Sequence, residues 1–181
     1  MKEEDTLVQK AQQGNKEAFG TLYDRYVLKI YRFVYLKVSD KSEAEDITQQ
    51  VFIRAWENIG SFTFQGFPFS SWLYRIASNA VIDSYRTKKS TVSIELVSES
   101  EISYIARGEE VLDIKREIFQ VMNALKELKP DEQSILVMRF VDELSNKEVA
   151  HALGKTEGSV RVIQHRALKQ LKKKLDINYN E

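Results

Sequence analysis

The sequence predicts an all-α protein made of two small helical domains joined by a flexible linker. Three observations predict it. Apolar residues recur at three- and four-residue steps over most of the chain, only 2 prolines and 7 glycines interrupt 181 residues, and the periodicity lapses once, in a Ser-, Thr- and Glu-rich stretch past the middle. A chain of this length holds one ordinary domain or two small ones, each burying a modest core. The lapse divides it into a first domain over 5–88, a linker over 89–112 and a second domain over 113–175.

The first block opens with Phe19, Leu22, Tyr23, Tyr26, Ile30, Phe33 and Val34, whose spacing lines them along one side of a helix or helix pair. Ser42-Glu43-Ala44-Glu45 then reads as a capping box that starts a helix at Glu43, with Asp46 adding charge favourable to the helix dipole. On that helix Ala44, Ile47, Val51, Phe52, Ala55, Trp56 and Ile59 form the buried face, which leaves Asp46, Gln49, Gln50, Ile53 and Glu57 outside. Residues 61–69 put Phe62, Phe64, Phe67 and Phe69 around a glycine and a proline, a loop by its breakers yet strongly apolar. Ser70 can cap the next helix, which runs through Trp72, Leu73, Ile76, Ala77, Ala80 and Val81 to Tyr85-Arg86.

Fully extended, the roughly 26 residues of the periodicity gap could span about 85 Å, comparable to about 25 base pairs, so two DNA-binding modules so joined could reach sites one to two helical turns apart. Helical spacing resumes at Ile114, Ile118, Val121, Met122, Leu125 and Leu128. Pro130-Asp131-Glu132 suits a new helix start, continued by Ile135, Leu136, Arg139 and Phe140. Ser145 and Glu148 form a second capping box, leading into Val149, Ala150, Leu153, Gly154, Val160, Ile163 and Leu168.

Composition excludes several functions. With no cysteine, thiol catalysis, disulfides and thiolate zinc sites are ruled out, and two isolated histidines make no metal site, so neither a metal nor a cofactor is expected. No apolar run approaches a membrane span and the acidic start Glu3-Glu4-Asp5 is unlike a signal peptide, so a cytoplasmic protein without membrane insertion is expected. No Gly-rich phosphate loop, His pair or serine among clustered arginines is present, so there are no candidate catalytic residues and no enzyme is expected. Formal net charge is zero, but seven Lys or Arg face the single acid Glu157 between residues 155 and 175, whereas residues 90–112 carry Glu95, Glu99, Glu101, Glu109 and Glu110 against Arg107.

Two constellations point to nucleic acid. Between Asn146 and Leu168 the chain has a helix-turn-helix pattern, with Ala150 where helices cross, Gly154 at the turn, and Val160 and Ile163 as anchors. Its second helix, from Glu157, would offer Thr156, Glu157, Ser159, Arg161, Val162 and His165 to a major groove, with Arg166 and Lys169 near phosphates. His151 reads as structural. The other constellation is Phe62, Phe64, Phe67, Phe69, Trp72, Tyr74 and Tyr85 interleaved with Arg75, Asn79, Arg86, Lys88 and Lys89, the composition of a surface that stacks unpaired bases and holds their backbone.

The strings from Ala44 to Trp56 and from Phe69 to Asn79, followed by Ile82-Asp83, closely resemble the second conserved region of extracytoplasmic-function sigma factors of the sigma-70 family, and Leu144 to Leu171 resembles their fourth. The resemblance implies a function: docking on core RNA polymerase to direct promoter-specific initiation. Asp46, Gln49, Gln50, Ile53 and Glu57 fall where the family docks on the clamp helices of the polymerase. Phe62, Phe64, Phe67, Phe69, Trp72, Arg75, Asn79, Asp83 and Arg86 fall where it captures and reads the melted −10 non-template strand. Thr156, Glu157, Ser159, Arg161, Val162, His165, Arg166 and Lys169 fall where it reads the duplex −35 element. An anti-sigma protein is a further partner it implies. Gln50 stands where an acid is common, Tyr85-Arg86-Thr87 has one basic residue fewer than usual, and Arg161-Val162-Ile163 replaces a frequent Lys-Ser-Arg; these departures bear on promoter sequence. Two other readings compete: a helix-turn-helix regulator that acts without polymerase, and a recombinase-like enzyme with a helix-turn-helix tail.

Overall fold

A computed structural model describes residues 2–64, 66–88 and 120–178. The predicted linker 89–112 lies outside the described residues, as do Ile114 and Ile118. The described elements are helices: α1 (Lys2–Gln12), α2 (Lys16–Val38), α3 (Lys41–Asn58) with a 3-10 turn at Ile59–Ser61, α4 (Phe69–Lys88), α5 (120–126), α6 (Pro130–Leu136), α7 (Asn146–Leu153) and α8 (Glu157–Asn178).

α2 carries the first predicted stripe on a single helix. Leu22, Ile30, Phe33 and Val34 are fully buried, Tyr26 nearly so, while Tyr23 sits at the edge with its ring against Phe52 of α3. α2 packs on α1, α3 and α4. Gln12 Nε2 donates to the carbonyls of Ile59 (3.0 Å) and Phe62 (2.7 Å), tying α1 to the end of α3. α3 begins two residues earlier than the sequence suggests. Asp40, extended at φ −125° and ψ 128°, accepts from Glu43 N at 2.7 Å and is the N-cap in place of Ser42, which falls in the first turn. Glu43 instead accepts from Ser84 of α4, joining the two helices. Ser70 is likewise not a cap: α4 starts at Phe69, and Ser71 N donates to the Pro68 carbonyl at 3.1 Å.

In the second half, α6 starts at Pro130 as expected, where the missing amide costs nothing, and Glu132 reaches back to accept from Lys129 N. The helix does not continue regularly through Arg139 and Phe140. Val137–Val141 form a π-helical turn, closed by Asp142 N donating to the Val137 carbonyl at 3.1 Å. The turn leaves Phe140 55 % exposed. The second capping box is present in full: Ser145 Oγ accepts from Glu148 N, and the Glu148 carboxylate accepts from Ser145 N. Gly154 ends α7 in the left-handed conformation at φ +63°, with its amide on the carbonyls of Ala150 and His151, and a side chain at that position would be strained.

The hydrophobic core does not stop between the halves. One contiguous cluster runs from Val8 through the stripes of α2, α3 and α4 into Ile135, Met138, Leu144, Val149, Ala150 and Val160. α7 lies along α4, and α6 and the π turn touch α2. A smaller cluster of Leu125, Leu128, Leu136 and Ala167 holds α5, α6 and α8 together. Among the described residues no helix is long and apolar enough to cross a membrane, and no three His, Cys, Asp or Glu gather as metal ligands.

Candidate nucleic-acid and polymerase interfaces

α3 divides its residues as amphipathic spacing requires. Ala44, Ile47, Val51, Phe52 and Ala55 are buried and Trp56 packs partly on Phe19, whereas Asp46, Gln49, Gln50, Ile53 and Glu57 are all exposed. Ile53, 49 % exposed, is a large apolar side chain ringed by polar ones, the make-up of a small protein–protein contact.

The aromatic loop separates into two pairs. Phe62 and Phe69 belong to the core, 5 % and 1 % exposed, each packed edge-on or tilted against its neighbours: Phe62 on Phe69 and Trp72, and Phe69 on Tyr26. The sequence placed both on a base-stacking surface. The structure gives them to the domain interior, because the loop residues Phe62 and Phe69 flank the chain's re-entry into α4. Phe64 is 39 % exposed, with its ring edge-on to Phe62. Phe67 is partly buried under α7: the His151 ring stacks on it at 4.0 Å between centroids and 16° between planes, and Lys147 Nζ stands 5.1 Å from its centroid. Trp72 is partly buried against Phe62 and Phe69. On α4, Arg75, Asn79, Asp83 and Arg86 are exposed, and Asp83 pairs loosely with Arg54 of α3 at 3.5 Å. Tyr74 is interior, and Tyr85 donates its hydroxyl to the Lys37 carbonyl at 2.6 Å.

On α8 the buried anchors are Val160 and Ala167, with Ile163 partly buried, and the opposite face is open. Ser159, Arg161, Val162, His165, Arg166 and Lys169 are exposed, with Glu157 partly so. Thr156 precedes the helix and caps it, its Oγ1 accepting from Ser159 N at 3.1 Å, so its hydroxyl is engaged at the start of the groove-reading face. Arg161 lies 3.1 Å from Glu157 one turn back, an exposed pair that holds the guanidinium loosely.

The sequence reading missed a seam where the two halves meet. Arg32 of α2 donates to Asp142 Oδ1 at 2.6 Å and to the Val141 carbonyl at 3.1 Å; the Asp142 side chain is fully buried there. The Tyr74 hydroxyl lies beside Asp142 without reaching good hydrogen-bond geometry, and burial raises the pKa of both groups. Lys37, 6 % exposed, donates to Ser134 Oγ at 2.5 Å and the Pro130 carbonyl at 3.2 Å, and desolvation lowers its pKa to about 8. One signal for Lys37 was in the sequence: it follows Ile30, Phe33 and Val34 on the same helical stripe and so falls on the buried face.

Comparison with known proteins agrees with this arrangement. The family model described as Sigma-70 region 2 matches residues 22–91, and that described as Sigma-70, region 4 matches 124–173. The chain is 36% identical over 167 residues to the ECF RNA polymerase sigma factor BldN of Streptomyces coelicolor, covering 91% of this chain and 63% of that protein's length. With the ECF RNA polymerase sigma factor SigW of Bacillus subtilis it shares 32% identity over 179 residues, 93% of this chain and 94% of that protein. The fold is similar to that of CnrH in a complex with the cytosolic domain of CnrY (TM-score 0.73, 24% identity, 95% and 96% of the two chains). It is also similar to that of the sigma factor RpoE from a co-crystal structure with the anti-sigma factor NepR from Bartonella quintana (TM-score 0.71, 20% identity, 88% and 97%). Sigma factors as a family are not enzymes, and the sigma factors this chain resembles act with RNA polymerase. With regions 2 and 4 in order and a relative matched over nearly its whole length, the chain belongs to the extracytoplasmic-function sigma factors of the sigma-70 family.

Proposed function

We propose that this sigma factor distributes its promoter work over three surfaces, in a cytoplasmic protein that is not itself an enzyme. Asp46, Gln49, Gln50, Ile53 and Glu57 dock α3 on the clamp helices of core RNA polymerase. Phe64, Phe67, Trp72, Arg75, Asn79, Asp83 and Arg86 take the melted −10 non-template strand, with Phe62 and Phe69 shaping the loop from inside. Ser159, Arg161, Val162, His165, Arg166 and Lys169 read the −35 duplex from a helix start set by Thr156 and Glu157. The observation that carries the reading is the clean division of α3, whose five docking residues are exposed while the residues between them fill the core. An anti-sigma protein is a partner of the kind the two similar folds support, since one of those proteins was crystallised with one. Run-off transcription with core polymerase over a library of promoter sequences tests the function: promoter-dependent transcripts are expected. Failure to stimulate core, together with nanomolar sequence-specific binding of duplex DNA by the isolated chain, would establish the regulator that works without polymerase.

Arg161→Ala provides the test of the −35 surface. A base contact from the open face of α8 is worth about 1–3 kcal/mol, so its loss should cut initiation roughly tenfold and relax preference at one base pair while core binding holds. Equal weakening on every −35 sequence would make Arg161 a phosphate contact.

A further inference from the structure

The open face of α8 carries two residues that the fold itself does not call for. Val162 is 57 % exposed, and Gly158 stands one turn before it on the same face, exposed as well. Both are weak helix formers, valine for its branched β-carbon and glycine for its backbone freedom. Packing does not account for them, because the contacts that hold α8 on its neighbours come from Val160, Ala167 and the partly buried Ile163. A methyl group added at Gly158 would meet nothing nearer than Thr156 Oγ1 at 3.9 Å, and the residue lies in the first turn of α8 without a positive φ. Neither a close neighbour nor a strained turn therefore requires glycine there.

Side chains on a helix lean toward its N-terminus, so Val162 tilts over the bare backbone of Gly158 and the two form a shallow apolar notch one turn long. Its rim is polar. The Thr156 and Ser159 hydroxyls, 3.1 Å apart, stand at one end and His165 at the other, while the Arg161 guanidinium alongside is drawn back onto Glu157. The notch is continuous with the exposed basic residues Arg161, Arg166 and Lys169, a charge that suits the phosphates of a duplex. Base edges in the major groove are polar with one exception, the C5-methyl group of thymine, which small apolar side chains cover.

We propose that Gly158 and Val162 form a thymine-methyl site on the −35 surface: the glycine lets the base edge come close to the helix backbone, and the valine covers the methyl. The inference rests on the −35 assignment above and gives it a chemical preference. The chain selects thymine at one −35 position by an apolar contact, beside the hydrogen bonds that Arg161 and its neighbours offer.

Deoxyuridine differs from thymidine by that methyl alone, so the test substitutes it, one position at a time, for every thymine on both strands of the −35 element in a promoter that the holoenzyme transcribes. Wild-type initiation should fall about fourfold at one position, the worth of one buried methyl, and little at the others. Val162→Ala should lower initiation on the thymine promoter by a similar factor and flatten the scan. Val162→Ile, which keeps a branched apolar side chain, should retain the methyl dependence. Gly158→Ala should move stability and function in opposite directions. Its unfolding temperature should rise by about 1–4 °C, because alanine restricts the unfolded chain at a site whose backbone accepts it. Its −35-dependent initiation should fall about tenfold, because the added methyl stands where the base edge comes. Core affinity should be the same in all of them. A flat scan with the wild type overturns the proposal, as does a methyl dependence that survives Val162→Ala, or a Gly158→Ala variant that initiates as well as the wild type or unfolds at a lower temperature. Arg161→Ala and a scrambled −35 element provide the separate check. If neither changes initiation, the −35 assignment itself fails, whereas a strong response to both beside a flat scan refutes the thymine site alone.

Discussion

Alanine at both Phe64 and Phe67 should abolish open-complex formation on duplex promoter DNA, leave the fold intact, and be partly rescued by a template already melted at −10. The expectation follows from where the four loop phenylalanines go. Phe64 is exposed and Phe67 is only partly buried, with His151 and Lys147 of α7 on its ring, so truncating them removes little from the core. Each supplies about 1–3 kcal/mol of base stacking, against the few kcal/mol that unpairing and unstacking cost, so losing both moves the balance against opening. A pre-melted template supplies the unpairing and returns much of the activity. Phe69→Ala is the contrasting variant. At 1 % exposure, between Tyr26, Phe62 and Trp72, its loss should cost about 3–5 kcal/mol of stability and fail equally on both templates. Thermal unfolding measured beside transcription from the two templates separates the cases. A Phe64, Phe67 double variant that melts early and fails equally on both would make those rings packing elements.

That contrast also marks what the sequence could and could not show. Composition alone told Phe62, Phe64, Phe67 and Phe69 apart from nothing: a loop has no period, and burial there depends on where α4 re-enters the core. The helical stretches were far more legible, since a 3.6-residue repeat states which face is inside, and the exposed and buried residues of α3 fell as the spacing required. The two S-x-x-E strings had different outcomes for a physical reason. Ser145 has no stronger capping residue just ahead of it, whereas Asp40, two residues before Ser42, is an equally good cap that lengthens the helix by about half a turn. The π turn carried no signature, and with it Asp142 could not be foreseen against Arg32, a contact 110 residues apart in sequence. Local pattern specifies helices and their faces, whereas the meeting of two faces across a linker depends on shape.

The packing of the two halves against each other, closed in this structure, should strengthen as pH rises from about 8 to 10.5, and Lys37 should be the reason. Its ammonium is buried at the foot of α2 between the Phe33 ring and α6, donating to the Ser134 hydroxyl and the Pro130 carbonyl, with Asp131 as the acid whose field reaches it. Desolvation wins, so the pKa falls from 10.5 to about 8. Both acceptors belong to α6, so separating the halves returns Lys37 to water and to its ordinary value. The closed form therefore binds fewer protons than the open form between those two pH values, and closure gains with pH across that window. At 1.36 kcal/mol per unit the gain approaches about 3 kcal/mol once the pH exceeds the open-state value, and it is absent below about 8. The neighbouring Tyr85, raised to about 12, stays neutral throughout and does not share the transition. Lys37→Met removes the charge while keeping an apolar side chain of similar length. It should close the chain at neutral pH about as firmly as the wild type closes near pH 10.5, and abolish the dependence. The chain has no cysteine, so energy transfer between dyes placed at Gln13→Cys and Lys172→Cys, both exposed, followed from pH 7 to 10.5 in both proteins, reads the difference, in which other titrations common to the two cancel. A wild-type chain whose closed fraction falls over that range, or a methionine variant with the same slope, would show that the ammonium is favourable where it lies and that another group sets the equilibrium.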